Sequence, residues 1–152
     1  MARLSTFLTQ PWQRQRLVLE VMALLLWAWF LVRLFPFRRY ASRLGEARPG
    51  EYSESAPQNL TVLRDVRWAV EAVNRTYGGR FTCLMQCMAG KAVLNRRGVP
   101  NTLVLGAKIN REEDDGEGSG MAAHAWLWAG ERILLGGEAR AGFVPVTSYH
   151  SA

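Results

Sequence analysis

The stretch TCLMQCMAGKAVLNRRGVP holds both cysteines of the chain, four residues apart. Thr82 can cap a helix, and the arginines and glycine near the other end are a stop signal, so we predict a helix from about Thr82 to Arg97. Cys83 then lies in the first turn, where unpaired backbone N–H groups and the helix dipole favour the thiolate. Cys87 lies one turn further on, beside apolar residues, where a free cysteine usually serves as a small core residue. Cys83 is therefore the candidate nucleophile and Cys87 a structural residue.

A histidine later in the chain could activate that thiol. MAAHAWLWA, residues 121–129, alternates as a strand does and carries His124. If this strand packs beside the start of the Cys83 helix, the imidazole can accept the thiol proton and later return it to a leaving amine. A third group, an acid past the next turn, would orient the ring, and Glu131 and Glu138 are the two candidates. A lone histidine is more often a core residue, so the prediction depends on the order Cys, His, acid.

Composition and charge limit the classes of function. The chain has 152 residues and two cysteines, which suit one domain with an appended segment and are too few for a disulfide scaffold. The start of the chain is polar and basic, unlike a signal peptide, so we expect a cytosolic protein with reduced thiols. Residues 1–48 carry the whole net charge of +6. Because residues 49–152 are then neutral, the main domain offers no basic groove, and we expect no nucleic acid.

The first 48 residues form a basic segment with a strongly apolar stretch over residues 17–37. Its uninterrupted apolar run from Val21 to Val32 covers twelve residues, whereas about 20 are needed to span a bilayer. We therefore predict a buried or interfacial helix. Tryptophans and following arginines would suit an anionic membrane surface or an acidic partner, and docking on the domain or on another subunit is the alternative. These side chains are Trp27, Trp29, Arg38, Arg39, Arg43 and Arg48.

Residues 45–58 are rich in Gly, Pro and Ser and predict a linker. Ser55 and Gln58 have the spacing of a capping box, so a helix should begin near residues 56–59 and end at the glycine pair Gly78 and Gly79. Apolar residues recur at steps of three and four, so we predict an amphipathic helix that buries the face they form. They are Leu60, Leu63, Val66, Val70, Val73 and Tyr77.

After the cysteine helix the pattern changes to that of strands. TLVLGAKI, residues 102–109, and RILL, residues 132–135, are apolar runs bounded by turn residues, and the acidic loop between 110 and 120 is expected to be a solvated connection. A short last strand is predicted in GFVPV, followed by a frayed tail. Helices followed by strands indicate an α+β fold with helices packed on a small antiparallel sheet, and we assign residues 49–152 to this domain.

These motifs resemble the lasso peptide biosynthesis B proteins, the leader peptidases of lasso peptide maturation. The similar stretches are TCLMQCMAGKAVLNRRGVP, AHAWLWAGERILLGGE, GFVPV and, nearer the N-terminus, LFPFRRYASRLG. Together they cover nearly the whole chain, and their order makes them fairly specific. The resemblance implies a transglutaminase-like, papain-related fold and a cysteine protease that cleaves the leader from a lasso precursor peptide through an acyl-enzyme.

The resemblance also implies roles for individual residues. Cys83 matches the family nucleophile and His124 the general base. Members usually have an aspartate as the third triad member, whereas this chain has no aspartate after Asp115. Glu138 is the nearest match, with Glu131 as the fallback. Trp128 stands where the family strand often continues with Val-Glu, and packing or lining the cleft is the role we expect for it.

The partners implied by the resemblance are the leader of the precursor peptide and a separate leader-recognition protein. The lasso cyclase and a membrane surface are further candidates, and no cofactor or metal is expected. Two other classes of function remain open. The same cysteine and histidine could serve an acyltransferase or amide hydrolase. Alternatively, the chain could be a non-catalytic, membrane-associated scaffold that binds peptides. A zinc site is the weakest alternative, since the spacing of the cysteines and histidines fits no compact zinc module.

Overall fold

The computed structural model describes residues 5–6, 8–51, 59–110 and 120–151. Within these residues five strands form one antiparallel sheet in the order β1-β5-β2-β3-β4, and helices pack against it, which confirms the predicted α+β class. In chain order the elements are α1 (Trp12–Leu34), α2 (Phe37–Tyr40), a 3-10 turn (Ala41–Arg43), β1 (Glu46–Pro49), α3 (Leu60–Thr76), α4 (Cys83–Arg96), β2 (Asn101–Asn110), β3 (Gly120–Ala129), β4 (Arg132–Leu135) and β5 (Val144–Ser151).

Helix α4 packs directly on one face of the sheet. At Gly90 an added Cβ would lie 2.8 Å from Leu135 Cδ1 and 3.2 Å from Leu127 Cδ2, so the helix backbone contacts strands β3 and β4 closely. Leu103 of β2 pairs with Leu127 and points to the same face. Because side chains alternate along a strand, Trp126 and its neighbours two residues away point to the opposite face.

Helices α1 and α3 complete the helical layer. The buried stripe of α1 packs against α3 and α4 and belongs to the same apolar core as the sheet. It consists of Leu17, Val21, Leu25 and Ala28. By length and composition α1 could also cross a membrane, a property that core helices and signal sequences share. The division of the chain at residue 48 stays a prediction.

Helix α3 begins at Leu60, at the edge of the predicted range of residues 56–59. The Asn59 side chain is the N-cap and accepts hydrogen bonds from the Thr61 and Val62 backbone N–H groups at 3.1 and 3.4 Å. Ser55 and Gln58 lie outside the described residues. The predicted stop is confirmed, since Gly78 and Gly79 have φ values of 71° and 72°. The central apolar positions are buried, but the predicted burial of Leu60 and Tyr77 is wrong, because these end positions are 47% and 39% exposed.

Two stretches that the sequence suggests to be irregular are strands. Residues 46–49 of the expected linker form β1, which pairs with β5. Gly45 makes this pairing possible: its φ is 125°, and an added Cβ would collide with the His150 carbonyl group. The expected frayed tail is wrong as well, because β5 continues to Ser151 between β1 and β2. His150 is buried there, with its Nδ1 2.9 Å from Thr102 Oγ1.

A lysine lies in the middle of this core. Lys91 of α4 is 2% exposed, and its Nζ donates hydrogen bonds to Asn101 Oδ1 at 2.8 Å and to the Tyr149 carbonyl at 3.1 Å. Both acceptors are uncharged. Burial without a carboxylate therefore lowers the pKa of Lys91 from 10.5 to about 7.

The free energy of unfolding should therefore change with pH because of this lysine. Its pKa is lower in the folded chain than in the unfolded chain, so unfolding takes up a proton between the two values and stability rises with pH in that window. Between about pH 7.5 and about pH 8.5 we expect the free energy of unfolding to rise by up to about 1.4 kcal/mol per pH unit. Lys91→Met should remove this rise, as measured by urea unfolding at several pH values. Equal slopes for the two proteins would contradict the assignment.

Candidate active site

Cys83 is the first residue of α4 and follows the N-cap Thr82. The Thr82 hydroxyl accepts a hydrogen bond from the Met85 backbone N–H at 3.4 Å, which confirms the cap predicted from the sequence. The Cys83 side chain is half-buried beside the core. Cys83 thus occupies the first turn of a capped helix, the position predicted from the sequence.

Cys87 has a different environment one turn deeper. It is 1% exposed, and burial raises the pKa of its thiol well above 9.0, with the neighbouring Cys83 adding to the effect. The thiol therefore stays protonated. Its interpretation as a core residue is confirmed.

His124 lies in β3 with a defined ring orientation. Its Nε2 is 2.7 Å from the carbonyl oxygen of Gly136. Because a carbonyl only accepts hydrogen bonds, Nε2 must carry the proton, and in the neutral ring Nδ1 keeps a free lone pair. The rings of Phe143 and Trp126 flank the imidazole, with centroids at 5.2 and 6.0 Å. The ring is thus prepared to accept a proton at Nδ1.

Neither candidate acid contacts this ring in the described part of the chain. The Glu138 side chain is 94% exposed and lies 3.5 Å from the Arg67 guanidinium, whereas Glu131 is exposed in the turn between β3 and β4. The backbone carbonyl of Gly136 instead orients the histidine. A carbonyl has no signature in a sequence, but the glycine does: Gly136 has a φ of 77°, and an added Cβ would collide with the backbone of Ala125.

The structure does not bring Cys83 and His124 together. Helix α4 covers the face of the sheet that carries Leu127, and His124 is three residues from Leu127 in a strand whose pairing with β2 is unbroken. The imidazole therefore points to the other face. No hydrogen bond joins the thiol and the imidazole in the residues that the structure describes. Their pairing in a reaction remains a prediction.

A carboxylate missed by the sequence analysis organises the face that carries His124. Glu51 Oε1 accepts hydrogen bonds from Trp126 Nε1 at 3.0 Å, from Trp128 Nε1 at 2.6 Å and from the Arg140 guanidinium at 3.1 Å. The guanidinium also lies 5.7 Å from the Trp128 ring centroid. Trp128 is thus tied to a fixed acceptor. In the sequence, the presence of Glu51 is the only indication of this cluster, and Glu51 stands in a stretch expected to be a linker.

The two cysteines should differ sharply in reactivity. With iodoacetamide near neutral pH, we expect Cys83 to be alkylated at least about tenfold faster than Cys87, which is buried and protonated. Mass spectrometry of peptides after timed quenching measures both rates. Cys87→Ala should retain the fast site and Cys83→Ala should lose it. Equal alkylation rates in the folded protein would contradict the assignment.

A comparison with protein families assigns the chain to one of them. The family model described as the transglutaminase-like superfamily matches residues 22–148, which is most of the chain. Comparisons with curated proteins and with solved structures gave no match. The matched range includes both Cys83 and His124, all of α4 and the sheet as far as Ser148 of β5. This chain therefore belongs to the transglutaminase-like superfamily.

Proposed function

We propose that this protein is a cysteine peptidase that cleaves the leader from a lasso peptide precursor. Membership of the transglutaminase-like superfamily supports papain-like cysteine hydrolase or acyltransferase chemistry. The resemblance of the motifs around Cys83 and His124 to lasso leader peptidases supports the narrower substrate. The observation that carries the proposal is the Nε2 hydrogen bond of His124, because it holds the ring in the tautomer that a general base requires.

In the proposed reaction His124 Nδ1 takes the proton of the Cys83 thiol. The sulfur then attacks the scissile carbonyl carbon, and a C–S bond replaces the C–N bond as the imidazolium gives its proton to the leaving amine. Water, deprotonated by the same nitrogen, hydrolyses the thioester and releases the leader as a carboxylate. This sequence requires thiol and imidazole within hydrogen-bond reach. The proposal therefore includes the approach of the Cys83 thiol to the His124 imidazole.

The edge of β3 supports an extended peptide as substrate. In the described residues, β4 pairs with β3 only from Leu127 to Ala129, whereas β2 pairs along the whole of the other edge. The Gly136 backbone lies against Ala125 and Trp126. The part of the outer edge of β3 with which no described strand pairs therefore runs from Gly120 to His124. A peptide added there would gain backbone hydrogen bonds beside the imidazole.

The resemblance also suggests the partners of the reaction. A separate small protein would bind the leader and present it, and an ATP-dependent cyclase would act on the freed core peptide. Both are proposed on the family resemblance alone. Cleavage by the isolated chain, with and without the recognition protein, is the measurement that separates catalysis from presentation.

The reaction can be tested with a lasso-type precursor peptide, for which the genes neighbouring this one are the place to search. We expect one peptide bond to be cut, and in H₂¹⁸O the new leader carboxylate should gain one ¹⁸O, as read by mass spectrometry. An added primary amine tests the rival acyltransferase. If the bond is cut only when the amine is present, and the product carries the amine in place of water, the enzyme is a transferase and the peptidase proposal fails.

Variants of the candidate residues test the mechanism. Cys83→Ala and His124→Ala should each lower the rate of cleavage by on the order of 10³-fold or more, because nucleophile and base act as a unit. Cys87→Ala is the matched control and should keep the rate while lowering thermal stability. Cleavage by Cys83→Ala at the parent rate would favour a scaffold whose cysteines are structural.

The third member of the triad has its own test. Glu138 remains the carboxylate candidate, but its contact with Arg67 and the Gly136 carbonyl on His124 favour the carbonyl as the orienting group. We therefore expect Glu138→Gln to lower the cleavage rate less than about fivefold, because an exposed ion pair contributes only about 1 kcal/mol or less. A loss comparable to that of His124→Ala would assign the role to Glu138.

A further inference from the structure

Helix α1 presents apolar side chains to solvent as well as to the core. The outward-facing residues Leu19, Leu26, Phe30 and Leu34 are 51%, 46%, 47% and 62% exposed. Their spacing of seven, four and four residues places them along one side of the helix. Trp27 lies beside this stripe and is 39% exposed. A continuous exposed stripe of this kind is typical of a surface that has a partner.

The opposite side of α1 is locked into the protein. Val21, Leu25 and Ala28 are 0% exposed and pack in the core that α1 shares with α3 and α4. A helix that spans a bilayer exposes all its sides to lipid or to other helices. Spanning would therefore remove these three side chains from the core and expose the surfaces they cover. Only the outward stripe of α1 can contact a partner while the core stays folded.

The chain around this stripe is basic. Residues 21–45 contain no Asp or Glu. Four arginines lie at the end of α1 and just beyond it, all with exposed side chains, and none forms an ion pair with any described residue. They are Arg33, Arg38, Arg39 and Arg43. An apolar stripe followed by unneutralised arginines is complementary to the acyl boundary and the headgroups of an anionic membrane.

We propose that α1 lies in the plane of an anionic phospholipid surface, with its outward stripe in the acyl boundary and the arginines among the headgroups. The exposed indoles of Trp27 and Trp29 favour lipid over an acidic protein partner, because indoles concentrate at the membrane interface. This inference uses α1 and the segment after it. It does not depend on the proposed peptidase reaction.

Vesicle flotation with the full chain tests the proposal. The protein should float with vesicles of phosphatidylcholine and phosphatidylglycerol at low salt, and binding should fall in high salt or with phosphatidylcholine alone. The double variant L26E/F30E should bind at least about tenfold more weakly, because it puts charges in the stripe. R38Q/R39Q should lose on the order of tenfold.

Val144→Glu is the matched control, since Val144 is 67% exposed and lies in β5, outside α1. It should bind like the parent, and circular dichroism checks the folding of every variant. Absence of binding at low salt, or unchanged binding by a folded L26E/F30E, would overturn the proposal. If L26E/F30E does not fold, unchanged binding by R38Q/R39Q overturns it. Resistance to carbonate extraction would show a spanning helix and equally overturn the in-plane arrangement.

Discussion

The close contact between α4 and the sheet is the constraint on which the rest of the molecule depends. Gly90 lets the helix backbone approach Leu127 and Leu135, and a larger residue would have to displace one of them. The next residue, Lys91, connects the helix to β2 and β5 through hydrogen bonds to Asn101 and Tyr149. With α1 and α3 packed on its other sides, α4 has a fixed position, and so does the thiol at its first residue.

The same packing gives the sheet two unlike faces. The face under α4 is apolar and belongs to the core, whereas the other carries His124 and the two tryptophans tied to Glu51. Polar groups on that second face are held by specific partners: a carbonyl for the imidazole and a carboxylate for the indoles. These contacts limit the side chains to single orientations, which is the kind of preorganisation that a reactive or binding surface needs.

Local signals predicted the elements well where the chain itself supplies the cause. The cap at Thr82, the stop at Gly78 and Gly79 and the alternation in β3 are all confirmed, because capping, left-handed glycines and strand period depend on neighbouring residues. The predictions were wrong for residues 46–49 and for the last residues of the chain. Those strands exist because β1 and β5 pair across a distance in sequence that no local pattern encodes.

The sequence by itself determined the α+β class, the helix that places Cys83 in its first turn and the strand that carries His124. It could not determine which face of the sheet the histidine occupies relative to α4, since that depends on which alternate set of side chains the helices cover. Nor could it identify the group that orients the ring. Tertiary structure decided both, because the Gly136 carbonyl, twelve residues further along the chain, becomes a partner of His124 only when β4 folds back along β3.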